Sequence, residues 1–537
     1  MRNGASTPDD GGPGMPRRPR RRQFNGTPLL RVYTRLRARQ LATQDAAAAQ
    51  HRQPLRLLAK AKDTRFGRDH GFARIASVED FQRAVPLRRW EDLWRDYWQA
   101  DFPRLTDCTW PGMVPFFAQT SGTTTGITKY IPCTRAMIAS NRRAAMDLIT
   151  HHLVNRPESA VFAGRNFMLG GSTALVELSP GVWSGDLSGI AGRNVPIWAR
   201  PFYFPPRHLE TIADWEEKIA AFAPASLEVD VRVLGGTPSW MLLFLEKLAA
   251  LDPGAGRRLS AFYPNLEMLV HGGVSFAPYR AAFAEWLQGS RAETREVYPA
   301  SEGFIAVADR GDGEGLRLIC DHGMFFEFVP VEELDSARPT RHWVGNIELG
   351  VNYAIVLSTC AGLWGYVVGD TVRFVERDPP RLLITGRTSY SLSAFGEHLI
   401  GEELEQGIAA AAEAVDADVA DWSAGALYPS RSDELGGHIF LVEFAGGAPE
   451  AQRLARFAAV LDATLAELND DYRVHRSKGF GMRPPVVHPA PPGTFAGWMK
   501  RRGKLGGQNK VPRVIADPAL LDDLKAFAGF TGSGRAP

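Results

Sequence analysis

The chain has 537 residues, of which 45% are hydrophobic and 10% aromatic, so it can bury large cores, and a predominantly disordered or collagen-like protein is excluded. Its 62 Lys and Arg residues nearly balance its 60 acidic residues, and the net charge of +2 gives no whole-molecule reason to expect a nucleic-acid or membrane partner. The length predicts at least two domains.

The four cysteines are scattered along the chain, without the spacing of a zinc site or of a disulfide framework. This pattern favours a protein of the reducing cytoplasm. The uncharged run 349–369 is long enough to span a bilayer, but it contains Asn352, Ser358 and Thr359 as well as several glycines, so we expect no membrane span. The oligomeric state stays open, with a monomer favoured.

Residues 1–25 are rich in Gly, Pro and Arg and predict a disordered basic tail, with a nucleic-acid contact as the alternative. From 28 to about 62, apolar residues at helical spacing predict helices. Strands and helices then alternate. The predicted strands are 114–118, 266–270, 343–349, 353–358 and 381–384, and the predicted helices are 207–222, 237–251 and 276–287.

The second half of the chain continues the alternation, with a helix at about 401–412, a strand near 438–444 and a long Ala/Leu helix at 449–468. The pattern indicates an α/β protein. We expect a large N-terminal domain, 26–386, with β-sheets flanked by helices, and a smaller C-terminal α/β domain, 387–537.

The most distinctive local pattern is a hydroxyl-rich loop between two short apolar strands. It consists of Thr120, Ser121, Gly122, Thr123, Thr124, Thr125 and Gly126, and Lys129 follows it. Such residues can turn backbone N–H groups and hydroxyl oxygens around phosphate oxygens, with Lys129 adding positive charge. The spacing from the glycines to Lys129 does not fit a Walker loop, which argues against a P-loop NTPase. A solvent-exposed polar turn is the alternative.

Two later segments contain residues suited to a nucleotide. A predicted strand runs into Gly272 and Gly273, where a planar ligand could approach the backbone. Downstream, Tyr298 could stack on a base, and Glu302, which follows Ser301, could hold magnesium on the phosphates. The alternative, which is more common for such a segment, is a tyrosine of the core beside a glutamate on the surface.

Asp370 ends a glycine-bearing turn between two apolar strands, where its carboxylate could accept hydrogen bonds from both ribose hydroxyls. An ordinary hairpin turn is the alternative. Arg387 lies at the predicted domain joint. Residues 500–513 contain six cations and no acid, and their glycines would let the segment fold over an anion; a solvated basic tail or an RNA contact is the other interpretation.

In order and spacing these segments resemble the adenylate-forming superfamily, and within it bacterial members of the auxin-responsive-promoter family of acyl-acid amido synthetases. The resemblance spans about 64–513. Segment 121–129 looks like the family's ATP phosphate loop, 298–302 like its Tyr-x-x-Ser-Glu motif, 359–370 like its Gly-Leu-Tyr-x-Tyr-x-x-Gly-Asp segment, and 508–513 like its C-terminal Gln-x-Lys-x-Pro-Arg motif.

The chain departs from the usual sequence of the family at two places. Gly365 and Val368 stand where the family often has arginines, and Thr388-Ser389 follows Arg387 where Lys-Asp is common. The segment Phe395-Gly396-Glu397 that follows is similar to bacterial members rather than plant ones, so a plant hormone substrate is not implied.

The resemblance implies a two-step reaction that uses ATP and magnesium. A carboxylate attacks the α-phosphate of ATP and releases pyrophosphate, and an amine, expected to be an amino acid, then attacks the acyl-adenylate. The resemblance implies Lys510, Lys129 and Glu302 as catalytic residues, Glu302 as the metal ligand, and a mobile C-terminal domain that pivots near Arg387. The implied ATP-binding residues are Thr120, Ser121, Gly122, Thr123, Thr124, Thr125, Gly126, Lys129, Gly272, Gly273, Tyr298, Ser301, Glu302, Asp370 and Arg387.

The implied partners are therefore small molecules, a carboxylic acid and an amine, and neither nucleic acid nor membrane is expected. Candidate linings of the acyl pocket are 167–172 and 234–237, although core strand ends are the more common meaning of such segments. Two alternatives stay open. One is an adenylate-forming enzyme of the acyl-CoA ligase type, which uses a thiol acceptor, and the other is a non-catalytic ATP-binding protein.

Overall fold

The fold combines one twelve-stranded mixed sheet with two four-stranded sheets, all covered by helices, so the predicted α/β class is confirmed. The computed structural model describes residues 24–121, 128–170, 174–210, 212, 215–273, 276, 279–311, 313–388, 399–427, 436–469, 472–473, 476, 482–505, 510–515 and 517–530. The predicted tail up to residue 23, the centre of the hydroxyl-rich loop and the segment that follows Thr388 lie outside these residues.

The chain begins with helices, as predicted for 28–62. They are α1 (Thr27–Ala42), α2 (Ala46–Ala61), α3 (Arg65–Asp69), α4 (Val78–Ala84) and α5 (Trp90–Leu93). Asp45 caps α2 by accepting a hydrogen bond from the Ala48 N–H group at 2.8 Å. Among the described helices, none is both long enough and apolar enough to cross a bilayer.

The first four-stranded sheet has the order β2-β1-β5-β4. Its strands are β1 (Phe116–Ser121), β2 (Thr128–Cys133), β4 (Val176–Ser179) and β5 (Val182–Gly185). Strands β1 and β2 form an antiparallel pair in which Thr120 lies opposite Lys129. The hydroxyl-rich loop therefore connects the ends of this pair. Helices α6 (Arg135–Asn155) and α7 (Leu187–Arg193) follow β2 and β5.

The twelve-stranded sheet has the order β13-β12-β14-β15-β16-β11-β10-β9-β8-β7-β3-β6. Its strands are β3 (Arg165–Leu169), β6 (Tyr203–Phe204), β7 (Val231–Gly236), β8 (Met268–Gly272), β9 (Glu293–Ala300), β10 (Gly303–Val307), β11 (Leu316–Leu318), β12 (Met324–Pro330), β13 (His342–Trp343), β14 (Asn352–Thr359), β15 (Tyr366–Arg377) and β16 (Pro380–Arg387).

Strands β6, β3, β7, β8 and β9 of this sheet run parallel, and the other pairs are antiparallel. Helices of the parallel part are α8 (Arg207–Glu210), α9 (Trp215–Leu227), α10 (Pro238–Leu251), α11 (Leu259–Phe262) and α12 (Arg280–Leu287). Parallel strands bring their carboxyl ends to one edge of the sheet, which is where ligands bind in α/β folds. Gly236 and Gly272 end β7 and β8 at this edge.

The last part of the chain forms the second four-stranded sheet, in the order β19-β18-β17-β20. Its elements are α13 (Gly401–Ala414), β17 (Val419–Leu427), β18 (Gly437–Phe444), α14 (Ala451–Leu468), β19 (Val486–Ala490), α15 (Thr494–Arg501), β20 (Val514–Ile515) and α16 (Pro518–Phe527). Helices α13 and α14 pack on this sheet around a core of their own that includes Leu404 and Phe457. The boundary at residue 387 stays a prediction.

The predicted helix 207–222 is divided into α8 and α9, with Ile212 outside both, and two further expectations were wrong in extent. The predicted strand 343–349 is reduced to the two residues of β13, because the Asn346 side chain accepts a hydrogen bond from the Trp343 N–H group at 2.8 Å and closes a turn there. The predicted helix 276–287 begins only at Arg280. In both cases an apolar run continues through a turn, which hydropathy alone does not reveal.

A buried charge cluster fixes α1 to the body of the protein. The Arg37 guanidinium donates to both oxygens of Asp147, at 2.7 and 2.8 Å, and also to Asp321. His322 shares Asp147, with 2.9 Å between its Nε2 atom and a carboxylate oxygen. Burial opposes ionisation of Asp147, but these hydrogen bonds hold its pKa below the usual value. Asp147, Asp321 and His322 have metal-ligand spacing, yet the Arg37 guanidinium already donates hydrogen bonds to the oxygens of both carboxylates.

We expect Asp147→Ala to lower the apparent free energy of unfolding by about 3 kcal/mol, because the buried Arg37 charge loses its main partner. Urea unfolding followed by circular dichroism measures the change. Glu246→Ala is the control, since it removes an exposed partner of Arg257, at 3.1 Å, and should cost less than about 1 kcal/mol. Equal effects of the two substitutions would refute a structural role for the cluster.

Candidate active site

Asp370 lies at the centre of a group of polar side chains contributed by several strands. It is on β15 directly opposite Arg387 on β16, and the Arg387 Nε atom donates to its Oδ1 atom at 2.7 Å. The Tyr298 hydroxyl donates to the other carboxylate oxygen, also at 2.7 Å. Burial opposes the negative charge, but Arg387 and Tyr298 hold the pKa of Asp370 below its usual value. The carboxylate is therefore anionic and fixed in orientation.

Tyr298 is a buried residue, with 5% of its surface exposed, and its ring packs in the hydrophobic core. Burial, followed by the Asp370 charge, raises the pKa of its hydroxyl well above the usual value, so the hydroxyl stays a donor. We expected this side chain to stack on a base. Its described contact is instead the hydrogen bond that orients Asp370.

Glu302 lies in the turn between β9 and β10 and is buried, as is its neighbour Ser301, with 8% of each residue exposed. The alternative of a surface glutamate is therefore wrong. The Tyr366 hydroxyl donates to the Glu302 Oε1 atom at 3.2 Å. Burial is the main cause that raises the pKa of Glu302, and the nearby Asp370 charge adds to it. A carboxylate in this position is stabilised by a cation.

Lys510 reaches this group from the C-terminal part of the chain. Its Nζ atom donates to the Gly273 carbonyl oxygen, just beyond the end of β8. Gly273 has a φ of +87°, and a Cβ atom there would lie 3.2 Å from the Lys510 ammonium. At Gly272, a Cβ atom would lie 2.3 Å from the Val297 carbonyl oxygen. Both glycines thus permit a close approach, of a lysine at one position and of strand β9 at the other.

Lys129 has a partner that the sequence analysis did not identify. Its Nζ atom forms an ion pair with Glu91 at 2.7 Å and lies 5.6 Å from the centre of the Trp90 ring. Both partners belong to α5, so this helix positions Lys129 next to the hydroxyl-rich loop. Of that predicted loop, Thr120 is described on β1, whereas Gly122, Thr123, Thr124, Thr125, Gly126 and the Ser121 side chain lie outside the described residues.

The sequence analysis also missed Tyr279 and the role of Arg513. The Arg513 guanidinium pairs with Asp421, donates to the Trp422 carbonyl oxygen at 2.8 Å and stacks over the Trp422 ring. Its other terminal nitrogen donates to the Tyr279 hydroxyl at 3.3 Å, just before α12. The only sequence signal was that Arg513 ends the Gln-x-Lys-x-Pro-Arg motif.

Three contacts join the C-terminal part of the chain to the parallel half of the large sheet. They are the Lys510 contact with Gly273, the Arg513 contact with Tyr279, and the packing of Leu505 against the hydrophobic cores of both parts. A fourth contact lies close to Arg387, where Arg373 on β15 pairs with Glu402 on α13 at 2.7 Å. Together they hold Lys510 close enough to Asp370 to act on its carboxylate, and Asp370 acts in turn on Glu302, so we describe this junction as the cleft.

The candidate acyl-pocket segments lie mostly in the core. Phe167 and Leu234 are fully buried among the helices of the parallel half, whereas Met168, between two buried positions of β3, has 41% of its surface exposed. A cavity of about 960 Å³ lies elsewhere, beside β6 and α7.

Comparison with known proteins places this site in a family. The models of the GH3 family N-terminal, central and C-terminal domains match residues 35–171, 317–387 and 402–519, which together cover more than half of the chain. The second and third matches contain Asp370 and Lys510.

Curated relatives include the probable indole-3-acetic acid-amido synthetase GH3.9 of Oryza sativa subsp. japonica, 26% identical over 42% of this chain and 54% of the relative. Another is the indole-3-acetic acid-amido synthetase GH3.8 of Oryza sativa subsp. indica, 25% identical over 49% of this chain and 46% of the relative. The matched part thus spans about half the length of these relatives.

Among solved structures, the GH3.15 acyl acid amido synthetase has a TM-score of 0.75 at 16% identity, over 95% of this chain and 97% of that chain. A 2-hydroxyisobutyryl-CoA ligase in complex with 2-HIB-AMP has a TM-score of 0.55 at 16% identity, over 98% of both chains. These similarities establish the fold. Three family domains matched in order and a shared fold over almost the whole length lead to one conclusion, that this chain belongs to the GH3 family.

Proposed function

We propose that the protein is an ATP-dependent acyl-acid amido synthetase, which adenylates a carboxylic acid and transfers the acyl group to the amine of an amino acid. The observation that carries this proposal is the position of Asp370, which lies close enough to interact electrostatically with both Glu302 and Lys510, with Lys510 supplied by the other half of the molecule. The names of the GH3-family relatives support the same reaction class.

Lys510 is the residue we assign to the first chemical step. When the carboxylate attacks the α-phosphate, negative charge builds up on phosphate oxygens while pyrophosphate leaves, and a fixed cation stabilises that charge. Asp370 is assigned to the ribose. Each of its oxygens accepts one hydrogen bond from Arg387 or Tyr298, and each keeps a lone pair for a ribose hydroxyl.

Glu302 is the residue we assign to magnesium. The buried Glu302 carboxylate accepts a hydrogen bond from Tyr366 and one from a backbone N–H group, which leaves lone pairs for a cation, and Mg²⁺ in nucleotide enzymes binds one or two carboxylates together with substrate phosphates. The bound cation would neutralise phosphate charge. Lys129 lies on the strand that follows the hydroxyl-rich loop, and we assign it to the β- and γ-phosphates of ATP. To bind them, its ammonium would have to leave the ion pair with Glu91.

Two other functions are alternatives to the amido synthetase. An acyl-CoA ligase would pass the acyl group to a thiol, and an ATP sensor would bind the nucleotide without turnover. Pyrophosphate release is measured with ATP and a panel of carboxylic acids, and products are identified by mass spectrometry after addition of amino acids or coenzyme A. Amide products support the proposal, whereas thioesters, or nucleotide binding without pyrophosphate release, would refute it.

We expect Lys510→Ala to slow pyrophosphate release by about 100-fold or more, because it removes the cation that faces the reacting phosphate. Its rate of amide formation from a preformed acyl-adenylate should change much less. Lys525→Ala is the matched control, since Lys525 pairs with Asp522 on the outer helix α16. An unchanged rate of pyrophosphate release in the Lys510 variant would exclude this role.

The pH dependence of the first step gives a separate test. Although Lys510 keeps solvent-exposed atoms, burial of its ammonium, reinforced by Arg387, lowers its pKa to about 8, while Asp370 acts in the opposite direction. Its charge is therefore complete below this pKa and is lost above it.

We expect kcat/KM for ATP, which reports the free enzyme, to fall as the pH rises through about 8. In Lys510→Arg the guanidinium stays charged, so the activity that remains should show no such fall. The profile is measured by pyrophosphate release with the acid at saturation. An alkaline fall that persists unchanged in the arginine variant would assign the titration to another group.

The contacts of Arg513 and Leu505 suggest that the closed cleft is the arrangement for adenylation, because they hold Lys510 at Gly273. We expect Tyr279→Phe to slow pyrophosphate release by about tenfold, since it removes a hydrogen bond to a charged group. Arg513 keeps Asp421 and the Trp422 carbonyl, so the C-terminal fold should survive.

Amide formation from a preformed acyl-adenylate should be unaffected in the same variant. Tyr97→Phe is the control for the loss of a tyrosine hydroxyl. It removes a hydrogen bond to Asp69, and neither residue belongs to the candidate active site. Equal slowing of both half-reactions in Tyr279→Phe would show that the contact does not select one arrangement.

A further inference from the structure

Helix α1 turns an apolar face to the solvent. Leu29, Val32 and Leu36 recur at helical spacing and have 70%, 64% and 58% of their surfaces exposed. Tyr33 lies between them with 41% exposed, and Phe24, just before the helix, has 68% exposed. We call these five residues the α1 stripe. Most of the stripe precedes residue 35, where the match to the GH3 family N-terminal domain begins.

The opposite face of α1 packs on the protein, and most of its buried residues are polar, although Leu30 also packs against an apolar core there. Its buried residues are Thr27, Thr34, Arg37 and Leu41, and the Arg37 cluster with Asp147 anchors it. A surface helix normally buries its apolar face and exposes its polar face. Here the more apolar face is exposed, and within the part of the chain that the structure describes nothing covers the α1 stripe. Contiguous exposed apolar residues of this kind mark interaction sites.

Positive charge borders the α1 stripe on both sides. Arg35 and Arg39 are exposed on α1 itself, and Arg143 on α6 is exposed and close enough to act electrostatically on the Tyr33 hydroxyl. The sequence contains no Asp or Glu from residue 11 to residue 44. Two acids, Asp147 and Asp321, also act electrostatically on the Tyr33 hydroxyl, and both are paired with Arg37.

We propose that the α1 stripe binds the surface of a bilayer that contains anionic phospholipids, with the apolar side chains inserted at the headgroup level and the arginines on lipid phosphates. An apolar helix face bordered by basic residues is typical of helices that lie in a membrane interface. The balanced charge of the whole chain gave no reason to expect a membrane, but the local charge does. This peripheral contact is independent of the proposed function.

Other occupants fit the charges less well. A second copy packed on the same stripe would bring the two sets of Arg35, Arg39 and Arg143 together, which costs electrostatic free energy. The first 23 residues offer Met1, Ala5 and Met15 as their only apolar side chains apart from proline, too few to cover the stripe. Their five arginines between 17 and 22 would add to an attraction by anionic lipid.

The experiment is vesicle flotation of the full chain, with vesicles of phosphatidylcholine alone and vesicles in which about a third of the lipid is phosphatidylserine. The wild type should float with the anionic vesicles. Leu29→Ser, Val32→Ser and Leu36→Ser combined should weaken this binding at least about tenfold, because they remove the inserted groups and leave every arginine in place. Arg35→Gln with Arg39→Gln should reduce the preference for anionic vesicles.

The matched control combines Val154→Ser, Leu243→Ser and Leu349→Ser, three similarly exposed apolar residues outside the stripe, and should bind as the wild type does. Circular dichroism and pyrophosphate release verify that each variant is folded. No flotation of the wild type, or equal flotation of the stripe variant through the basic tail alone, would overturn the proposal. So would a dimer in light scattering that the stripe variant converts to monomers, since a second copy would then cover the stripe.

Discussion

The burial of the Asp370 carboxylate is the constraint around which the cleft is organised. A negative charge removed from water has to be compensated, and Arg387, Tyr298 and the nearby Lys510 provide the compensation from three separate parts of the chain. The register of β15 and β16 therefore matters as much as the residues themselves, since a shift by one position would turn Arg387 to the other face of the sheet.

The same constraint links the two halves of the molecule. Residues 505–513 provide Leu505, Lys510 and Arg513, and each of them contacts the parallel half of the large sheet. One segment thus couples the position of a cation to the docking of a whole domain. Across this junction Lys510 contacts a backbone carbonyl and Arg513 a single hydroxyl, so modest polar contacts hold the cleft closed.

Helix α1 illustrates how a buried ion pair can override hydropathy. Arg37 points inward, where it pairs with Asp147 and Asp321. Because Leu29, Val32 and Leu36 lie on another face of the helix, this orientation leaves them exposed. The free energy lost by exposing these side chains is recovered only where an apolar surface covers them. Specific buried polar contacts thus decide which face of a helix remains available for a partner.

The sequence by itself determined the α/β class, the order of the motifs and, through their resemblance to a known family, the choice of Asp370, Glu302 and Lys510 as candidates, because a motif is a local pattern of residue types and spacing. Only the tertiary structure decided which residues pair and which face of α1 is buried. Lys129 pairs with Glu91, Tyr298 with Asp370, and Arg513 with Tyr279. Each of these pairs joins residues from different elements, so no local pattern encodes it. The predicted strand 343–349 ended early for a local reason instead, because the Asn346 side chain accepts a hydrogen bond from the Trp343 N–H group and closes a turn that hydropathy does not register.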